Sequence, residues 1–300
     1  MLVKEDWTLT QILRRTWRLD LYIIIVCTLA CVINDRYIDR HFYIPPLVPT
    51  VLGTAVAFFI GFTNNQAYDR WWEARIIWGA IVNDSRSWSR SLLSYVATKD
   101  ELITSIVERM IYRQIGFVYA LNASLRKTNN RDYKRFVFKD DVRATEGLAN
   151  LPNALLMLQS KDLALLQNKN LIDGFRFLEL DQLIVKNCDS MGKCERIKNT
   201  VFPTSYVYFT QLSIYFFIIL NTVVLHDLIG YWAILFGWVI GFVFFASYNN
   251  GLGLMKPFEN QATDTPMDSI CRTIEINLLQ DMGKNNIPEP VKPIDNEYMM

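Results

Sequence analysis

The chain has 300 residues, of which 51% are hydrophobic and only 20% charged, and its formal net charge is +1. The aromatic content of 13% excludes a disordered chain, because disordered segments are poor in aromatic residues. The near-neutral charge argues against nucleic acid as a partner, since nucleic-acid-binding domains usually carry a strongly basic face. This composition indicates a protein that is partly embedded in a membrane and partly soluble.

The first apolar run, Leu21–Ile33, has 13 residues and is short for a helix that crosses a bilayer by itself. Trp17 and Tyr37 flank the run at positions suited to the two membrane interfaces. If this run does not cross, the chain has three spans and its ends lie on opposite sides of the membrane. We predict that it does cross, which makes four spans.

Three longer stretches carry no charged residue: positions 42–68 with 27 residues, 199–225 with 27 and 228–255 with 28. As helices they would reach about 40 Å, which exceeds the hydrocarbon thickness of about 30 Å. We therefore predict spans two, three and four here. Lys and Arg crowd the N-terminal stretch and the segment after the second span, whereas the external loops hold few of them. This bias predicts a multi-pass protein of the inner (plasma) membrane with both termini in the cytoplasm.

The segment 63–203 between the second and third spans holds 21 Lys and Arg against 16 Asp and Glu. Its apolar residues recur with helical spacing, and turn-forming residues at 128–130, 147–152 and 173–174 predict breaks between helices. After the last span, Thr265 and Asp268 resemble the capping box of a further helix. The predicted fold is all-α, divided into two spans (1–62), a cytosolic helical region (63–203), two more spans (204–255) and a C-terminal helix and tail (256–300).

No motif for catalysis, cofactor binding or metal binding is present in the sequence. The Gly-rich phosphate loop, GxSxG, HExxH and GxGxxG patterns are all missing. The two histidines, His41 and His226, lie far apart, and the five cysteines have no zinc-type spacing. We predict that the protein is not an enzyme and uses neither a cofactor nor a bound metal.

The second span carries a stripe of three side chains, Thr54, Phe58 and Phe62, at i, i+4 and i+8. This spacing places all three on one face of a helix. Small residues around the stripe allow close helix packing, so a packed transmembrane helix explains the pattern. A hydrophobic constriction that leads into a polar vestibule explains it equally well. Spacing alone leaves both interpretations open.

The stretch Ile44–Arg75, IPPLVPTVLGTAVAFFIGFTNNQAYDRWWEAR, resembles the signature of the bestrophins, especially their bacterial branch. A second match is Lys256-Pro257-Phe258, followed by the segment RTIEIN at 272–277. The resemblance covers roughly residues 1–285. It implies a homopentameric ion channel to which each subunit contributes one second-span helix.

The resemblance also implies roles for individual residues. Thr54, Phe58 and Phe62 would form the apolar neck of the pore, with Thr54 departing from the usual apolar residue. Phe175 would form a second, cytosolic constriction, although a core phenylalanine fits that position nearly as well. The motif expected to support the neck consists of Asn64, Asn65, Asp69, Arg70, Trp71 and Trp72.

Many animal members of the family are chloride channels opened by calcium, which binds a run of acidic residues after the last span. Here the corresponding corner offers only Glu259 and Asp264, which is too sparse for a calcium site built from several carboxylates. We predict no calcium activation through this segment.

The expected partners are other copies of the chain, the lipid bilayer and small monovalent ions. The net charge of +5 in the middle segment weakly favours anions such as chloride. A monovalent-cation channel of the same architecture is the main competing hypothesis. A secondary transporter fits less well, because the three long spans hold no charge and show no inverted repeat. A membrane enzyme that acts on lipid would need a cluster of carboxylates or histidines near the interface, where Asp69, Arg70 and Glu73 fit better as support for the neck. An assembly scaffold without transport is the last alternative.

Overall fold

The structure, a computed structural model, describes residues 9–38, 43–96, 100–200 and 202–293, with side chains from residue 16 onward. Within these residues every regular element is a helix, which confirms the all-α prediction. The helices are α1 (Leu9–Ile33), α2 (Leu47–Tyr95), α3 (Glu101–Arg126), α4 (Lys139–Thr145), α5 (Leu151–Asn168), α6 (Gly174–Asn199), α7 (Thr204–Ile229), α8 (Trp232–Leu254) and α9 (Met267–Asp281). A π-helical segment, Asn34–Ile38, continues α1, and a 3-10 turn, Asp132–Arg135, precedes α4.

Among the residues that the structure describes, four helical segments are long and apolar enough to cross a membrane: Thr16–Tyr37, Leu47–Tyr95, Thr204–Ile229 and Trp232–Leu254. The prediction of four spans is therefore confirmed. The first crossing is longer than its apolar run because it includes Asp20, which is buried. The Asp20 carboxylate accepts hydrogen bonds from Thr16 Oγ1 (2.8 Å) and Trp238 Nε1 (3.1 Å). These bonds allow a charged residue to lie within the helix contacts of the span.

The chain divides into two compact units. Among the described residues, the span unit comprises those within 9–71 and 202–256, and the helical unit comprises those within 72–200 and 257–293. Helix α2 runs unbroken through residues 62 and 63, where we expected the membrane part to end. The boundary between spans and cytosolic region therefore stays a prediction.

The span unit is held together by packing of α1, α7 and α8 and by one face of α2. Ile23, Val56, Ile60, Ile218 and Phe245 are among its buried residues. Glycines on α8 bring helices close together. A methyl group at Gly241 would collide with Ile23 and Ile218, and one at Gly237 would collide with Thr222. Small residues of this kind are the usual means of close helix contact in membranes.

The helical unit packs around α3, whose side chains contact α5, α6 and α9. Trp78, Trp88 and Phe117 are fully buried in its apolar core. Arg113 is also buried there and donates to Asp141 (2.7 Å) and Asp162 (2.8 Å), which binds α4 and α5 to α3. Each charge in this group therefore has an opposite partner, as a buried charge requires.

Each of the three predicted breaks lies at a helix boundary, although 151–152 and 174 already belong to the first turns of α5 and α6. α3 ends at Arg126 with Lys127 in the left-handed conformation. Asn150 caps α5, and Asp173 caps α6 by accepting from the backbone N–H of Arg176 (2.9 Å). The predicted Thr265 cap is wrong, because α9 starts after Pro266 without any side-chain cap.

Asp268, which we expected only to cap that helix, has a different set of contacts. Its carboxylate accepts from Asn122 Nδ2 (2.6 Å) and from Arg126 Nη1. Both donors lie on α3, so Asp268 attaches α9 to α3. A tertiary ion pair thus replaces the expected local cap.

Candidate functional site

The predicted neck residues lie on the face of α2 that points away from the packed interior of the span unit. Phe58 and Phe62 are 70% and 45% exposed, and Thr54 is exposed as well. The Thr54 hydroxyl donates to the carbonyl of Thr50 (3.0 Å), one turn earlier in its own helix. The opposite face, which includes Val56 and Ile60, is buried in the span unit. Packing within a single chain therefore does not account for the stripe.

The aromatic ring of Tyr206, near the start of α7, packs against this face of α2. The Tyr206 ring lies 5.7 Å from the ring of Phe62 and 5.9 Å from that of Phe59. The Phe59 ring in turn meets Phe58 edge to face at 6.0 Å. Contacts of this geometry are worth about 0.5–1.5 kcal/mol each beyond the area they bury. Tyr206 therefore restrains the two phenylalanines of the predicted neck.

A cleft of about 540 Å³ opens between α2 and α7 beside Phe62. Its walls are mostly aromatic, with a few polar groups. The lining residues are Phe59, Phe62, Gln66, Phe202, Pro203, Ser205, Tyr206, Phe209, Thr210 and Ser213. The exposed side of Phe62 consequently borders open space rather than a packed neighbour in the same chain.

The predicted neck-supporting motif divides between two faces of α2. Asn64 is half-buried and points at Gly251 of α8, where its Oδ1 atom would collide with any methyl group. Asn65 and Asp69 are exposed on the other side of the helix. Neighbouring residues in a helix are turned by about 100°, which is why the Asn-Asn pair separates. The structure brings Asn64 into the helix packing and leaves Asn65 on the neck side.

The remaining motif residues range from half-buried to exposed. Arg70 and Trp71 are half-buried, and the Trp71 ring is 5.8 Å from Tyr68. Trp72 is 50% exposed. Their role in supporting the neck stays a prediction.

Phe175, the predicted second constriction, lies in the first turn of α6 just after the cap residue Asp173. Its side chain is 87% exposed. The hypothesis of a core phenylalanine therefore fails for this chain. A pore role for Phe175 stays a prediction.

The corner after the last span, where we predicted no calcium activation, has contacts within the subunit. The Glu259 carboxylate accepts from Lys198 Nζ (3.0 Å). Asp264 is buried, and burial raises the pKa of its carboxyl. No group of three or more His, Cys, Asp or Glu suited to a metal occurs among the residues that the structure describes. The residues of this corner do not fit a calcium site of several free carboxylates.

Two residues of this site were missed at the sequence level. Tyr206 reaches Phe59 from 147 positions away, and its hydroxyl lies 3.4 Å from the Phe59 carbonyl oxygen. Gly251 meets Asn64 from another helix. Neither contact leaves a local spacing pattern. The one available signal for Gly251 was the pair of glycines, Gly251 and Gly253, near the end of the last uncharged run.

The four spans and the outward apolar face of α2 define an all-helical, multi-pass membrane protein. A family profile described as Bacterial/Fungal Bestrophin protein matches residues 7–280. The chain therefore belongs to the bestrophin family, which is channel-forming and not enzymatic.

Individual relatives agree with this assignment. The chain is 29% identical over 253 residues to the voltage-dependent anion channel-forming protein YneE of Escherichia coli, covering 84% of this chain and 81% of the relative. It is 26% identical over 248 residues to the voltage-dependent anion channel-forming protein mll4386 of Mesorhizobium japonicum, covering 83% and 78%. The solved structure of a bacterial bestrophin homologue from Klebsiella pneumoniae has the same fold, with a TM-score of 0.83 at 24% identity over 89% of this chain and 98% of that one.

Proposed function

We propose that this protein is a channel for small monovalent ions with a preference for anions such as chloride. The observation that carries the proposal is the exposed apolar face of α2, Thr54, Phe58 and Phe62, in a chain of the bestrophin family. An apolar ring of this kind gates by dewetting, because water and ions leave a narrow hydrophobic passage. Ions pass when the ring widens or becomes wet.

One helix cannot enclose a passage, so the proposal requires several copies of the chain. We propose a homopentamer in which each subunit contributes α2 to a central pore. The exposure of Phe58 and Phe62 in the single chain supports this arrangement, because side chains that are not packed within their own subunit are available to line a pore. A mass measurement of the purified particle in detergent tests it, and a monomer or dimer would contradict it.

The preference for anions rests on relatives and on charge. The two relatives above are named anion channel-forming proteins. The segment 63–203 adds five positive charges per subunit, which raises the local concentration of anions. A monovalent-cation channel of the same architecture is the competing hypothesis, since an apolar neck carries no charge of its own.

We propose further that ions meet a second constriction at Phe175. Its exposure supports this role, because a side chain that is not packed in its own subunit is available to line a passage. In the proposed orientation both chain termini and the segment 63–203 lie in the cytoplasm, as the distribution of Lys and Arg predicts.

The decisive experiment is a planar-bilayer recording of the purified protein under an asymmetric KCl gradient. A reversal potential near the chloride equilibrium value supports the anion channel. A value near the potassium equilibrium potential would establish the cation channel instead. Absence of current across the voltage range, in bilayers shown to contain the protein, would overturn the proposal of a channel and favour a transporter or a scaffold.

A further inference from the structure

The neck face of α2 continues beyond Phe62 to Asn65 and Asp69. Seven residues of α-helix turn through about 700°, so Asp69 returns to within about 20° of the direction of Phe62. It lies about 10 Å further along the helix axis. Both Asn65 and Asp69 are exposed, whereas Thr63 and Ala67 on the opposite side are buried. The apolar neck and these two polar residues therefore form one continuous strip.

Asp69 is the first ionisable residue on this strip. No charged residue occurs between positions 42 and 68, so nothing on α2 before Asp69 carries a charge. Within the part of the chain that the structure describes, no ion pair involves Asp69. Glu73, one turn further, is paired with Arg196 of the same subunit.

We propose that Asp69 is a specificity-determining residue that sets the balance between cations and anions at the inner end of the neck. The inference rests on the proposed function, because it needs several α2 helices around one passage. Five copies would place five carboxylates next to a neck that has no charge of its own. These charges attract cations and repel anions, and so oppose the anion preference that the basic segment 63–203 favours.

Salt concentration provides a physical signature of this role. The screening length is about 10 Å at 0.1 M salt and about 3 Å at 1 M. A local potential of about one kT changes the ratio of cations to anions about sevenfold, and potentials of several kT occur in charged clefts. An effect of Asp69 should therefore be large at 0.1 M and small at 1 M.

The test compares Asp69→Asn with the wild type in bilayers under a KCl gradient at both salt concentrations. We expect the ratio of chloride to potassium permeability to rise about sevenfold at about 0.1 M, with a shift of the reversal potential toward the chloride value. Asp69→Glu, which keeps the charge, should resemble the wild type. The matched control is Asp140→Asn, because Asp140 is an exposed carboxylate on α4.

The outcomes separate this inference from the proposed function. Wild-type current with an unchanged reversal potential in Asp69→Asn would overturn the inference and leave the channel intact. No wild-type current would overturn the channel, and the inference with it. If Asp69→Asn does not assemble, a second variant is used, Asp69→Cys combined with Cys188→Ser, which removes the exposed native thiol. After assembly it is treated with either a negatively or a positively charged thiol reagent. Opposite shifts of the reversal potential support the proposal, and identical reversal potentials contradict it.

Discussion

The side-chain oxygen of Asn64 on α2 lies against Gly251 on α8, so closely that residue 251 has no room for a methyl group. The side-chain amide of Asn64 and the glycine at 251 thus allow α2, which carries the predicted neck, to pack closely on α8. Thr63, the preceding residue, is buried and donates its hydroxyl to the carbonyl of Phe59 (2.8 Å). The approach of Asn64 to Gly251 and the burial of Thr63 place this side of α2 in the helix packing, so the opposite face points away from the subunit.

Gly251→Ala should destabilise the protein. Alanine is normally the better helix former by about 1 kcal/mol, but here its methyl group would overlap Asn64 and force the helices apart. Overpacking of this kind typically costs about 1–3 kcal/mol. Thermal unfolding of the detergent-solubilised protein measures the loss. The control is Gly79→Ala, since Gly79 has open space around it, and a Gly251→Ala variant that melts at or above the wild-type temperature would contradict the contact.

Phe58→Ala and Phe62→Ala should raise single-channel conductance or open probability. Each change removes a ring from the exposed apolar face and makes the passage wider and easier to wet. Planar-bilayer recording measures the effect. Phe236→Ala is the matched control, because Phe236 is an exposed phenylalanine on α8. Unchanged current in both α2 variants would place the gate elsewhere.

Arg113→Ala should destabilise the helical unit by about 3–5 kcal/mol, because it leaves the buried Asp141 carboxylate without its cation. Asp162 would keep only Arg109, whose side chain is partly exposed. Arg113 is 1% exposed and bonds both Asp141 and Asp162. The thermal midpoint of the purified protein reports the loss. Arg143→Ala serves as the control, since its partner Asp140 is 3.9 Å away and both side chains are solvated. Similar midpoints for the two variants would show that the buried pair contributes little.

Cys188 should be the thiol that alkylating reagents modify first in the helical unit. It is exposed on α6, whereas Cys194 on the same helix is buried. Burial raises the pKa of Cys194 to about 12, with a smaller contribution from the nearby charges of Glu195 and Glu73. Since the thiolate is the reactive form, Cys194 at about pH 8 has almost none of it.

Peptide mass spectrometry after brief treatment with iodoacetamide checks this order. The fast adduct should disappear in Cys188→Ser, and Cys194 should react only after unfolding. Equal rates at the two positions in the folded protein would contradict the described burial.

Micromolar calcium should leave the open probability unchanged. Glu259 is bound to Lys198, and burial of Asp264 favours the neutral form of its carboxyl by raising its pKa. A calcium dose–response in bilayers, with EGTA as the calcium-free reference, measures the effect. A sharp rise at micromolar calcium would show that this corner does bind the ion.

Much of the fold could be predicted from residue order. The lengths of three uncharged runs predicted three spans, and a shorter apolar run flanked by Trp17 and Tyr37 predicted the fourth. Turn residues such as Asp173 predicted where helices begin and end. The spacing of Thr54, Phe58 and Phe62 predicted a shared helix face, and all three side chains are exposed on α2. These features are local, because helix length, capping and periodicity depend on residues within a few turns of each other.

The contacts between helices could not be predicted in this way. The expected local cap at Thr265 gave way to the bond of Asp268 with Arg126, which lies 142 positions away. Asn64 and Asn65 look equivalent in the sequence, yet one packs on Gly251 and the other faces away from the subunit. The physical reason is that helix packing depends on shape and charge between distant segments, for which no periodic pattern exists along the chain.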